Sequence, residues 1–103
     1  MKIVNGVLVY ADEGDFISGE LCVPKGVQSI SEVASGKLKR CEGFKALSFE
    51  EGSQFAGFCD GQFGESVSLS TVDLTNCEKL KEIPLGCFCN CANLGEVKLP
   101  NGI

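Results

Sequence analysis

The chain has 103 residues, 14 of them acidic and 9 basic, for a formal charge of −5; hydrophobic side chains make up 44% and charged ones 22%. That length allows one domain of modest stability, and the composition is that of a folded chain. Dispersed Lys and Arg under a net negative charge count against nucleic acid as a partner. The one basic run, Lys37-Leu38-Lys39-Arg40, is followed closely by Glu42 and reads as a solvated face. No apolar run nears the ~20 residues that span a bilayer, so no membrane insertion is expected.

The first element in chain order is a hairpin. Lys2-Ile3-Val4, Asn5-Gly6 and Val7-Leu8-Val9-Tyr10 have the strand–turn–strand pattern of a type I′ turn. The start lacks the features of a signal peptide, which leaves a cytoplasmic chain or one whose leader has been removed. Ala11 to Asp15 is a polar loop.

Beyond it the sequence repeats. Leu47-Ser48-Phe49, Val72-Asp73-Leu74 and Val97-Lys98-Leu99 recur at a spacing of 25 residues, and Leu21-Cys22-Val23 precedes the first of them by 26. Phe44, Leu69 and Leu94 keep the same spacing, as do Ile30 with Phe55, Val33 with Phe58 and Leu38 with Phe63. Each unit opens with period-2 alternation, the signature of a strand with one buried face. A unit this short cannot bury its own apolar side, so stacked parallel strands are expected. The boundaries are a hairpin cap at 1–18, units at 19–43, 44–68 and 69–93, and the start of a fourth at 94–103. Ser31 to Arg40 can form one or two helical turns; no long helix is expected. The strand Val97-Lys98-Leu99 has no unit after it, and we expect it to continue into further units or to be covered by a second copy.

Val4-Asn5-Gly6-Val7-Leu8 with Val23-Pro24-Lys25-Gly26-Val27-Gln28-Ser29-Ile30 resembles the opening of BspA-type leucine-rich-repeat proteins. The segment from Cys87 to Ile103 is similar to their A-F-x-x-C-x-x-L-x-x-V-x-I-P-x-x-V unit. The likeness covers nearly the whole chain and is loosest from Cys41 to Ser68. It implies a leucine-rich-repeat solenoid of the α/β horseshoe class, β-rich, with parallel strands on one face. It also implies a cell-surface or secreted adhesin-like role, which is an analogy at the level of fold.

The chemistry that can be read from the residues is sparse. Histidine is absent, which removes Ser–His and Cys–His pairs and His-ligated metals. The 13 glycines form no phosphate-binding loop. The acidic residues Asp12, Glu13, Asp15, Glu50 and Glu51 lack calcium-loop spacing. Seven cysteines, an odd number, lean towards reduced structural thiols. Cys77 with Cys87, Cys89 and Cys91 offers four thiolates to a metal, yet without the familiar knuckle spacing. No enzyme activity, cofactor or metal is expected.

What remains is the outward strand face, which by alternation carries Glu20 with Cys22, Ala46 with Ser48, Thr71 with Asp73, and Glu96 with Lys98. A protein of unknown identity is the expected partner of this ladder. The alternative is a self-assembling unit, a homo-oligomer joined at the edge Val97-Lys98-Leu99. A thiol- or metal-responsive protein using Cys77 and Cys87 to Cys91 is a third reading.

Overall fold

Asn5 and Gly6 both adopt positive φ, 49° and 78°, which is what a two-residue type I′ turn demands. They join β1 (Lys2–Val4) to β2 (Val7–Tyr10) as an antiparallel pair whose register shifts between Lys2 and Ile3. The computed structural model describes residues Met1–Ile103. Following β2, Asp12 caps a short 3-10 turn at Glu13–Asp15, accepting the Gly14 N–H at 3.0 Å. The Met1 ammonium donates to Asp15 at 2.8 Å and ties down the chain start.

A second, all-parallel sheet runs in the order β3 (Glu20–Val23), β5 (Ala46–Phe49), β6 (Thr71–Asp73) and β7 (Glu96–Lys98). Leu21 pairs with Leu47, Leu47 with Val72, and Val72 with Val97. The alternation in the sequence becomes burial: Leu21, Val23, Leu47, Phe49, Val72 and Leu74 point into the core, and the residues between them face solvent. Parallel sheets are ordinarily covered on both faces. This one is covered on one.

The segment after β3 does not resemble its successors. β4 (Ser29–Ile30) pairs in parallel with β2, matching Val7 to Ser29 and Leu8 to Ile30, and completes a three-stranded mixed sheet β1-β2-β4. Helix α1 (Glu32–Leu38) follows, its first turn capped by Ser31 Oγ accepting the Ala34 N–H at 3.1 Å. Ala34 and Leu38, four residues apart, face inward, and this turns Val33 out to 77% exposure. Val33 therefore does not share a buried column with Phe58, contrary to the repeat alignment. From Glu50 to Ser70 and from Leu74 to Gly95 the chain forms turns and extended segments only.

Phenylalanines close the space between these layers. Phe55 lies 4.7 Å from both Phe49 and Phe58, and Phe63 is 6.0 Å from both Phe44 and Phe58, ring centre to ring centre. Such offset and edge-on pairs add to the area the rings bury. Buried side-chain nitrogen and oxygen atoms are all partnered. Gln62 donates to the Ile30 carbonyl at 2.5 Å and accepts the Cys59 N–H at 2.9 Å, joining the loop after β5 to the strand before α1.

The expectation of a leucine-rich-repeat solenoid of the horseshoe class is corrected by this architecture. The chain forms a compact α/β unit of 29 × 26 × 23 Å with two sheets and one helix. The strand spacing sets the register of one sheet, but the first unit is built unlike the later two: it returns through β4 and α1, whereas they return through turns at 60–65 and 85–90. Four strands about 4.8 Å apart span roughly 14 Å, and the unit as a whole is nearly as wide and deep as it is long. The hairpin likewise builds the mixed sheet with β4 and does not lie along β3 to cap the parallel stack.

Candidate functional site

The exposed face of the parallel sheet is built from two cross-strand rows. In the first, Glu20 pairs with Ala46, Ala46 with Thr71, and Thr71 with Glu96; in the second, Cys22 pairs with Ser48 and Asp73 with Lys98. Adjacent strands place such side chains close enough to interact along the face. Glu20, Ala46, Ser48, Thr71, Asp73, Glu96 and Lys98 all line one shallow depression of about 150 Å³, floored by Leu47 and Val72. Seven of the eight outward side chains are thus brought together, and the eighth, Cys22, lies just outside. Segments more than seventy residues apart in sequence meet there.

The chemistry of this surface is acidic and rich in hydroxyls. Ser48 donates its hydroxyl proton to the Glu20 carboxylate. Asp73 Oδ1 accepts the Thr75 hydroxyl at 2.7 Å and the Thr75 N–H at 3.0 Å. Those bonds, led by the hydroxyl and helped by the charge of Lys98, hold the Asp73 carboxyl below its ordinary range. Asp73 is consequently a fixed anion at neutral pH, already oriented by its own loop. Three carboxylates face one ammonium, Lys98. A surface of this kind complements amide-rich or basic segments of another chain.

The edge Val97-Lys98-Leu99 lies at the β7 side of the same sheet, with Val97 38% and Leu99 50% exposed. Sequence reasoning passed over two further depressions. One, at the β3 side, gathers Met1, Asp15, Ile17, Glu20 and Cys22; its apolar element is Ile17, 81% exposed. Its only signal in the sequence is Ile17, which with Phe16 forms an apolar pair in an otherwise polar stretch. The other is polar and lies between α1 and the loop at 60–62, where Glu32, Ser35 and Lys39 meet Asp60 and Gln62. Nothing in the local sequence links those two segments.

All seven cysteines are free thiols. Burial pushes the Cys77 thiol up to about 11 and that of Cys87 up to about 12, whereas Cys22, Cys59 and Cys89 are exposed. Cys41 and Cys91 donate to the Lys37 and Phe63 carbonyls at 3.3 and 3.2 Å. No three His, Cys, Asp or Glu side chains are grouped so as to hold a metal ion, so Cys77, Cys87, Cys89 and Cys91 do not converge on one. No helix is long and apolar enough to cross a membrane. Comparison with family models, with curated proteins and with solved structures found no match.

Proposed function

We propose that this chain is a non-catalytic protein-binding module whose recognition surface is the exposed face of the parallel sheet. The observation that carries the reading is the convergence of seven side chains from four strands on one acidic depression. None of the seven fills the core. A parallel sheet left open on one face exposes a flat, rigid surface that the fold does not need for its own stability. Its hydroxyls and carboxylates suit charge-steered association with a basic or amide-rich protein surface.

A photo-crosslinking amino acid at Thr71, with Lys81 as an exposed position outside the depression, tests this. Discrete adducts in an extract of the source cells are expected from Thr71 alone, and Asp73→Lys with Glu96→Lys should abolish them. Equal labelling from both positions, or labelling indifferent to charge reversal, would rule the surface out.

A further inference from the structure

We propose that β7 is a self-complementary docking edge at which two copies of this chain join antiparallel about Val97, merging their parallel sheets across a two-fold axis. The inference shares Glu96 and Lys98 with the strand-face reading but adds to them the backbone and the inner face of β7, and sedimentation of the purified chain tests it with no other protein present.

The hydrogen-bond pattern leaves this edge open in a defined way. Leu74 N–H donates to the Lys98 carbonyl at 2.8 Å, and β7 aligns Glu96, Val97 and Lys98 with Thr71, Val72 and Asp73. In a parallel ladder, residues that bond to the neighbour alternate with residues that face away. Lys98 and Glu96 therefore turn their backbone groups to β6, and Val97 turns its N–H and C=O outward. An exposed strand with unpaired groups is a template for another strand.

The side chains beneath it point to the same end of the sheet. In the column Leu47, Val72, Val97, exposure rises from 1% and 1% to 38%. The next column behaves alike, with Phe49 and Leu74 buried and Leu99 half exposed. The apolar layer under the sheet thus runs out at β7 uncovered.

Charge selects the occupant. With Val97 opposite Val97 of the second copy, Glu96 faces Lys98 and Lys98 faces Glu96, two opposite-charge pairs on the outer face. Each Val97 N–H donates to the other Val97 carbonyl, and the two open apolar columns meet on the inner side. The contact is isologous and therefore closes at two copies.

The other edges are less suited. On β3, Ile17 and Glu20 exchange both backbone bonds, at 2.9 and 3.0 Å, so the side of Glu20 that would accept a strand is already covered. A head-to-tail stack through β3 is blocked at that point. β1 is irregular between Lys2 and Ile3, and a two-fold there sets Lys2 against Val4 with no charge to meet it.

Sedimentation of the full chain from ~10 μM to ~1 mM tests the proposal, a range suited to an interface smaller than the standard size. The mass should rise from 10.9 kDa to twice that value and stop. Val97→Pro removes only the outward N–H, since the bonds to β6 come from its neighbours, and should keep the chain monomeric. Glu96→Lys or Lys98→Glu alone sets like charges opposite each other and should weaken dimerisation by about tenfold. Their equimolar mixture should restore it, as should the double exchange in one chain; neither recovery can be produced by misfolding, which protects the test if Val97→Pro fails to fold. A monomer at every concentration, species growing beyond two copies, or a dimer indifferent to these substitutions would overturn the proposal.

Discussion

Val72 and Val97 are the same residue in the same column of one sheet and differ in what lies beyond them. Val72 sits between Leu47 and Val97 and is 1% exposed; Val97 has Val72 on one side only and is 38% exposed. Val→Ala removes two carbon groups worth about 0.8 kcal/mol each when buried. At Val72 the surrounding layers are closed, so a cavity term adds to the transfer term and the loss should reach about 2–3 kcal/mol. At Val97 part of the side chain already meets water and the open side leaves no enclosed cavity, which limits the loss to about 1 kcal/mol or less. Urea unfolding of dilute samples, where self-association does not contribute, reads the difference directly. With a slope of about 1–2 kcal/mol per molar, Val72→Ala should lower the midpoint by roughly 1–3 M and Val97→Ala by clearly less. Equal shifts for the two variants would refute the reasoning that β7 is an open end of the core.

Three further outcomes follow from the geometry. Gln62→Ala leaves the Ile30 carbonyl and the Cys59 N–H without their partner and should cost about 1–3 kcal/mol in chemical unfolding, more than Gln54→Ala on the surface. Brief alkylation of the native chain should modify Cys22, Cys59 and Cys89 first and spare Cys77 and Cys87 until the chain is unfolded; peptide mapping that finds Cys87 among the fast thiols would contradict its burial. Asp15, bonded to the Met1 ammonium, and Asp73, bonded to Thr75, have carboxyls held below their ordinary range. Their contribution to stability is complete above the unfolded carboxylate value of about 3.9 and is lost as pH falls through the lower folded values, so Asp15→Asn with Asp73→Asn should flatten the acid limb of stability against pH.

The parts of this protein legible in its sequence are those whose geometry is local. Asn5-Gly6 dictates the hairpin because both residues tolerate positive φ, and Ser31 caps the helix that starts after it. Alternation determines which side chains of Leu21 to Val23, Ala46 to Phe49 and Thr71 to Asp73 turn inward, and spacings of 26 and then 25 residues determine which of them pair. For the same reason alternation by itself assigns the seven residues of the strand face to one side: a strand's period of two separates its faces whatever the rest of the chain does.

Tertiary structure alone decided how the intervening segments close. The first unit spends its return path on β4 and α1, which pack against the hairpin, while the later units return through turns filled by phenylalanines. Chain spacing is silent on that choice, since it depends on what each loop meets across space; hence the compact two-sheet α/β unit where a solenoid is expected, and the outward Val33 where a buried column is expected. The depressions at Ile17 and between α1 and Gln62 likewise join residues from segments that share no local pattern. Periodicity records the backbone's own geometry, and burial records the neighbours that only the folded chain supplies.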